Sequence, residues 1–257
     1  MTDIQNPILD IQGLEKHFGG ITAIDGLDMQ VGDGITGLIG PNGAGKTTFF
    51  NCVTGFLTPN AGSVTFAGTD ITGKRPSAIA DEGLVRTFQI PRELPEMTVR
   101  ENLQLAPKAQ SGENLATAWL RGDSFAEDER RVRRKAAEMA EFLEIDHVLD
   151  AKAGTLSGGQ RKLLELARVL LTEPDMVLLD EPLAGVNPTL ERKILARIHD
   201  LEAEGYSFLF IEHDIDIIME TCERVVVMHQ GQVLTAGEPA AVKHDERVIE
   251  AYLGEEV

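Results

Sequence analysis

The sequence is poor in basic residues, aromatic residues and cysteine. Its 257 residues include 24 Lys and Arg against 42 Asp and Glu, which gives a formal net charge of −18. Non-specific binding to nucleic acid depends on rows of cations that displace counterions from phosphates, so this charge predicts no nucleic-acid partner. A large footprint on an anionic membrane is disfavoured for the same reason. The acidic excess fits either a high-salt cytoplasm or the ordinary acidity of many microbial enzymes.

Two further absences concern the cellular compartment. The cysteines, Cys52 and Cys222, lie outside any CxxC or Cys/His cluster, so neither a metal site nor a disulfide framework is predicted, and we expect two buried thiols. No apolar run approaches the roughly 20 residues of a membrane span. Residues 1–5 lack the basic and apolar regions that begin a secretory signal. We therefore expect a cytosolic protein.

The order of predicted elements indicates an α/β protein, either one large domain or a core with an inserted subdomain. A helical, charge-rich pattern over 93–170 separates two regions of apolar strands, and it includes a capping-box sequence at 124–127. Apolar strands that alternate with helices indicate a parallel sheet covered on both faces. A last helix is predicted from 238 to 254, after a hairpin turn at 230–231. Strands are predicted at 8–11, 23–31, 35–39, 63–66, 176–179, 206–211 and 225–228.

A glycine-rich segment, Gly40-Pro-Asn-Gly-Ala-Gly-Lys46-Thr47, matches GxxxxGK[ST] between an apolar strand and a helix. The glycines let backbone N–H groups converge on phosphate oxygens, and the helix N-terminus adds a favourable potential. Lys46 is predicted to contact the β- and γ-phosphates, and the Thr47 hydroxyl to bind Mg²⁺. A tight turn that binds nothing is the alternative. The predicted phosphate-binding residues are Asn42, Gly43, Ala44, Gly45, Lys46, Thr47 and Thr48.

The apolar run 176–179 is followed by two acids, Asp180 and Glu181. A carboxylate at the carboxyl end of a parallel strand faces the ligand crevice, so Asp180 is predicted to hold Mg²⁺ through water. Glu181 is placed to orient or deprotonate the attacking water of phosphoryl transfer. Without the glycine-rich loop, such a pair would more often be a solvated strand end.

A second glycine-rich turn, Leu156-Ser157-Gly-Gly-Gln160, precedes a helical run and predicts a second anion site. With this motif the sequence resembles the ATP-binding-cassette (ABC) ATPases over essentially its whole length. The resemblance implies an α/β fold: a P-loop (RecA-like) ABC ATPase core with a small antiparallel β-subdomain and an inserted helical subdomain. It also implies that two cassettes pair head to tail, so that Ser157, Gly158, Gly159 and Gln160 contact the ATP held by the partner.

Three further positions take roles from the resemblance. Phe18 resembles the aromatic residue that stacks on adenine, and packing in the core is its alternative. Gln89, in Arg86-Thr-Phe-Gln89, resembles the glutamine that senses Mg²⁺ and the γ-phosphate. His213 resembles the switch histidine at the γ-phosphate, although such a residue is more often purely structural. Asn187 stands where many cassettes have Asp. The loss of that charge bears on how the two cassettes of a dimer would signal to each other, and it does not affect the prediction of ATP binding.

The segments 86–89, 97–103 and 249–254 resemble ATP-binding subunits of branched-chain amino-acid importers, with urea importers close to them. The implied function is ATP hydrolysis that energises solute import, with ATP and Mg²⁺ as cofactors. The implied partners are a second cassette, identical or related, integral membrane permease subunits and, indirectly, a solute-binding protein. The chain would lie at the inner face of the cell membrane. An exporter subunit, a soluble ABC ATPase and a P-loop GTPase or kinase are alternatives; the last lacks a guanine-binding NKxD segment and leaves LSGGQ unexplained.

The resemblance also implies domain boundaries. Residues 1–88 would form the first part of the ATPase core with the β-subdomain, 89–170 the helical subdomain with the signature turn, and 171–257 the second part of the core. Apolar residues at 90, 94, 97 and 99 would line a groove for the permease or pack the core of the helical subdomain.

Overall fold

A computed structural model describes residues 4–87, 93–107, 122–212 and 214–253. The chain forms two compact units. Unit 1 comprises 1–86, 175–184 and 198–257, and unit 2 comprises 87–174 and 185–197. Within the described ranges, no helix is long and apolar enough to cross a membrane. The predicted boundaries at 88/89 and 170/171 remain predictions.

The strands and helices are numbered here in chain order. The strands are β1 Leu9–Phe18, β2 Ile21–Val31, β3 Ile35–Ile39, β4 Ala61–Phe66, β5 Thr69–Asp70, β6 Leu84–Arg86, β7 Met176–Asp180, β8 Ser207–Ile211, β9 Arg224–His229 and β10 Gln232–Gly237. The helices are α1 Lys46–Val53, α2 Pro76–Asp81, α3 Val99–Gln104, α4 Gly122–Phe142, α5 Gly158–Leu170, α6 Pro188–Ala203, α7 Ile215–Thr221, α8 Pro239–Lys243 and α9 Glu246–Leu253. Short 3₁₀ turns span Asp146–Val148 and Ala153–Thr155.

The larger sheet of unit 1 has the strand order β10-β9-β3-β8-β7-β6. The strands from β9 to β6 run parallel, and β10 pairs antiparallel with β9. Every residue of β3, β7 and β8 is buried, which explains their near-continuous apolar sequences. Because these strands are parallel, the loops after β3, β8, β7 and β6 all leave from one edge of the sheet.

The smaller sheet of unit 1 is antiparallel, in the order β2-β1-β4-β5. In its strands, buried residues are separated by partly or fully exposed ones, unlike in the parallel sheet. In β1 the buried residues are Leu9, Ile11 and Leu14. These side chains belong to the same buried core as Phe49 and Phe50 of α1. The antiparallel sheet thus packs in the core that also supports the helix after the glycine-rich loop.

Unit 2 is helical in its described residues. The buried stripe of α4 includes Val132, Ala136 and Ala140, spaced at four residues. Helix α3 begins with a capping box in which the Thr98 hydroxyl accepts from the Glu101 N–H and the Glu101 carboxylate accepts from the Thr98 N–H. Among the proposed groove residues, Val99 is fully buried, whereas Leu94 is 42% exposed. Ile90 lies outside the described residues.

Several predicted boundaries need correction. Helix α4 begins at Gly122, so Ser124 lies inside the helix and does not cap its start. The final helix is two helices, α8 and α9, that break around His244. Strand β6 has no sequence prediction, because three residues give too short a pattern to separate from a loop. Both cysteines are buried and free, as expected.

Candidate functional site

The glycine-rich loop after β3 adopts a backbone that only glycine accepts easily. Gly40, Gly43 and Gly45 have φ angles of 152°, 78° and 100°. A Cβ atom on Gly40 would overlap the Met228 carbonyl, and one on Gly45 would lie 2.5 Å from the Ala23 carbonyl oxygen. The loop therefore needs glycine both for its dihedral angles and for close approach of neighbouring backbone.

Lys46, the first residue of α1, points back into this loop. Its side chain is buried, and Nζ donates to the carbonyl oxygens of Gly40 and, at 3.0 Å, of Pro41. Two carbonyls partly satisfy the ammonium group within its own loop. The cation is thus held inside the ring of backbone where the sequence predicts phosphate oxygens.

The start of α1 favours an anion. Its first turn contains Lys46, Thr47 and Thr48 and no acidic residue. The N–H groups of a first helical turn have no carbonyl partner within the helix, and they carry the positive end of the helix dipole. All seven predicted phosphate-binding residues, 42–48, lie in this single turn from loop to helix.

Asp180 ends β7 on the same edge of the sheet. Its carboxylate is largely buried, and Oδ2 accepts a hydrogen bond from the Arg86 guanidinium at 2.5 Å. Arg86 ends the neighbouring strand β6 and also donates to Asn51 Oδ1 of α1 at 2.7 Å. The sequence prediction included Asp180 but missed Arg86 and Asn51. The apolar residues before Arg86 were the available signal for a strand that ends beside β7.

Glu181 follows with an unusual backbone. Its φ angle is +49°, and its N–H donates to the Ile211 carbonyl of β8 at 3.0 Å. The next loop is held by Glu212, a buried carboxylate that accepts from the Leu183 N–H at 2.8 Å. The strained backbone and these two bonds fix the point from which the Glu181 side chain leaves the sheet. Glu212 is a supporting residue that the sequence prediction missed.

Phe18 ends β1 and is 47% exposed, so it does not pack in the core. The Lys16 ammonium lies 5.3 Å from the centre of the Phe18 ring. The backbone partner of Phe18 across the hairpin is Ile21, which is also exposed. An accessible aromatic face beside an apolar side chain is suited to stacking by a planar ring.

In unit 2, Ser157 begins α5 with a capping box. Its hydroxyl oxygen accepts from the Gln160 N–H at 3.3 Å, and its own N–H donates to the Gln160 side chain at 3.0 Å. Ser157 and Gly158 are exposed, and the first turn of α5 has no acidic residue. Because the hydroxyl serves as an acceptor in the cap, its O–H remains a donor.

Gly159 lies against helix α6. A Cβ atom on Gly159 would overlap a methyl group of Leu190, whereas one on Gly158 would meet nothing within 4 Å. Asn187, just before α6, accepts hydrogen bonds from the N–H groups of Thr189 and Leu190 at 3.1 and 3.0 Å. Asn187 therefore caps the helix that contacts Gly159. Gln89 and His213, the other predicted catalytic residues, lie outside the described residues.

A pocket of about 570 Å³ adjoins the glycine-rich loop in unit 1. Residues 41–44 of the loop form one part of it, and Arg247 and Glu250 of α9 another. Arg247 is bonded to Asp245 at 2.6 Å and holds the pKa of that carboxyl at about 2. Lys46 does not line this pocket, but Pro41, whose carbonyl accepts from Lys46 Nζ, does.

Comparison with known proteins places these features in a family. Residues 24–184 match the profile of the family described as ABC transporter. Residues 232–257 match the profile described as branched-chain amino acid ATP-binding cassette transporter. The first match contains the glycine-rich loop, the turn at Ser157 and the pair Asp180–Glu181, and the second contains β10, α8 and α9.

Individual relatives match over nearly the full chain. A probable branched-chain amino acid transport ATP-binding protein, LivG, of Archaeoglobus fulgidus is 43% identical and covers 96% of this chain and 95% of its own. The high-affinity branched-chain amino acid transport ATP-binding protein BraF of Pseudomonas aeruginosa is 39% identical, with 98% and 100% covered.

Solved structures agree with these relatives. A nucleotide-free ATP-binding cassette from an ABC transporter has a TM-score of 0.83 at 40% identity and covers 97% of this chain and 100% of its own. A cassette in its ADP conformation has a TM-score of 0.82 at 40% identity, and the match covers 98% of this chain and 100% of that cassette. These likenesses confirm the predicted fold class: an α/β P-loop core with an antiparallel β-sheet and an inserted helical part.

Proposed function

Because the chain belongs to the ABC transporter family, we propose that it is the ATP-binding and ATP-hydrolysing subunit of a membrane importer of branched-chain amino acids. The observation that carries this proposal is the pairing of a complete phosphate loop with Asp180 and Glu181 at one edge of the parallel sheet. The solute class rests on the match of residues 232–257 and on the names of relatives at 37–43% identity.

ATP would bind at the glycine-rich loop. Residues 42–48 present backbone N–H groups, Lys46 supplies a buried cation, and the loop leaves no room for side chains at Gly40 or Gly45. Phe18 would stack on the adenine, a contact worth about 1–3 kcal/mol. These features fit a nucleotide triphosphate because a multiply charged anion needs converging donors and a cation.

Mg²⁺ would be held by Thr47, Asp180 and Gln89. Hydroxyl, carboxylate and amide oxygens are the hard donors that this ion prefers, so the residue set fits it. When bound with the nucleotide, the ion neutralises charge on the phosphates. Gln89 remains a prediction from the sequence.

Glu181 would act as the general base. Hydrolysis needs a group that orients the attacking water and accepts its proton, and Glu181 follows the metal-binding Asp180 directly. The bond from its N–H to the Ile211 carbonyl ties it to β8, the strand between β3 and β7. His213, two residues beyond Ile211 in the sequence, would contact the γ-phosphate.

The partner of the cassette would be a second cassette, a copy of this chain or a related one, arranged head to tail. Ser157, Gly158, Gly159 and Gln160 would then contact the ATP of the partner. The exposed Ser157, its spare O–H and the unopposed dipole of α5 support this role. Permease subunits would hold the pair at the inner face of the cell membrane, and a solute-binding protein would deliver the solute to the permease.

The test of the catalytic assignment is Glu181→Gln. The amide keeps the shape of the side chain but accepts no proton, so steady-state ATP hydrolysis should fall by at least about 100-fold while ATP affinity changes little. Glu204→Gln, an exposed position in the turn just after α6, is the matched control and should keep full hydrolysis. A Glu181→Gln protein that hydrolyses ATP at the wild-type rate would exclude Glu181 as the base.

The transport assignment requires isolation of the membrane complex. The chain should copurify with integral membrane subunits, and the solute-binding protein of the complex should bind leucine, isoleucine or valine in calorimetry. Binding of urea instead would move the chain to a different importer class. Copurification with ribosomes or DNA in place of membrane subunits would contradict transport altogether.

A further inference from the structure

Arg86 is buried and bonded to Asp180, one of the proposed Mg²⁺ ligands, but has no role in the function proposed so far. The exposed fractions of the Arg86 and Asp180 side chains are 9% and 7%. The guanidinium donates to Asp180 at 2.5 Å and to Asn51 at 2.7 Å, and it lies 5.4 Å from the centre of the Phe50 ring. One group thus joins the end of β7 to the helix that begins with Lys46 and Thr47.

The hydrogen bonds of Arg86 are incomplete. Its Nε–H is buried and has no hydrogen-bond partner within the part of the chain that the structure describes. The Nε–H of Arg224 is also buried without a hydrogen-bond partner among the described residues, so this feature alone does not set Arg86 apart. What sets Arg86 apart is its ion pair: the guanidinium is bonded to the Asp180 carboxylate, and both side chains are more than nine-tenths buried.

We propose that Arg86 is the resident cation of Asp180: it positions the carboxylate and suppresses binding of a divalent cation there until nucleotide arrives. This inference rests on the proposed function, in which Asp180 is a metal ligand. The physical reason is that a positive charge next to a carboxylate repels an incoming cation, and burial of both groups weakens screening by water. Arg86 is the last residue of β6, so its ion pair with Asp180 joins the end of β6 to the end of β7.

The test measures Mn²⁺ binding by electron paramagnetic resonance on the full chain without nucleotide. Wild type and Arg86→Lys should both bind Mn²⁺ weakly. Arg86→Gln removes the charge, and its Mn²⁺ affinity should rise by roughly tenfold. Arg86→Gln/Asp180→Asn should lose that gain, since the amide is a poorer ligand. The matched control is Arg224→Gln, at the start of β9 in the same sheet, which should bind Mn²⁺ as wild type does.

Folding is followed by circular dichroism for each variant. A folded Arg86→Gln protein with the wild-type Mn²⁺ affinity overturns the proposal. If Arg86→Gln does not fold, the double variant decides: it removes both charges, so a folded double variant shows that Arg86 is needed to neutralise Asp180. A double variant that also fails to fold shows a packing role and overturns the proposal. ATP binding in the presence of Mg²⁺ is measured on wild type separately, and its absence would refute the proposed function without bearing on the Mn²⁺ result.

Discussion

The two glycine-rich turns of this chain differ in what their glycines do. In the loop after β3, three glycines have positive φ angles, and added Cβ atoms at two of them would meet backbone carbonyls. In the turn before α5, neither Gly158 nor Gly159 has a positive φ, and the nearest obstacle to Gly159 is the end of a Leu190 side chain. The first turn therefore has a backbone that requires glycine, whereas the second is an ordinary capped helix start with little side-chain bulk.

The cation marks the second difference. The loop after β3 holds Lys46 within its own ring of carbonyls, so the first turn carries both the donors and the charge that an anion needs. The turn before α5 offers a serine hydroxyl and a helix dipole. In the proposed dimer the first turn would supply the donors and the cation for ATP, and the turn before α5 would add its hydroxyl and helix N-terminus to the ATP of the partner chain.

The largest expected effect is that of Lys46→Ala. Loss of the only cation inside the loop should weaken ATP binding by at least about 100-fold in calorimetry, since a hydrogen bond to a charged group is worth about 1.5–3 kcal/mol and the long-range attraction is lost as well. Lys74→Ala, at an exposed ion pair with Glu82, is the control and should bind normally. If Ser157→Arg weakens ATP binding by a single chain as much as Lys46→Ala does, the contrast between the turns is wrong.

An intermediate effect is expected at Gly159. Gly159→Ala should lower the free energy of unfolding by about 1 kcal/mol relative to Gly158→Ala, because only the former crowds Leu190. Leu190→Ala should remove most of that difference, which a double-mutant cycle in urea would measure. An equal effect of Gly159→Ala with and without Leu190 would mean that the glycine is not there for this contact.

The smallest effect concerns the thiols, which report on unit 1 alone. Burial raises the pKa of Cys52 to about 11 and that of Cys222 to about 12. Both should therefore react with Ellman's reagent at pH 8 at least about 100-fold more slowly in the native protein than in urea. Because the folded pKa values exceed about 8.5, the usual value for a thiol, stability should fall as pH rises from that value towards 11. Rapid labelling without denaturant would show that unit 1 opens readily.

The sequence placed much of this candidate site on the correct loop and strand end because its motifs are local. The turn from β3 to α1 and the acids after β7 each form within one short segment, and strand β3 has the predicted bounds. Arg86, Asn51 and Glu212 were missed because their roles arise from contacts across the fold: Arg86 meets residues 35 and 94 positions away. The split between α8 and α9 was missed because the apolar spacing continues across it.

The left-handed backbone of Glu181 sets the stability of this chain against its proposed catalytic activity. A side chain at φ +49° is strained, by roughly 1 kcal/mol, in a conformation that glycine adopts freely. A chain selected for resistance to heat alone would therefore carry glycine at this position. The residue whose carboxylate would receive a proton in every catalytic cycle thus lowers the free energy of unfolding by a small amount.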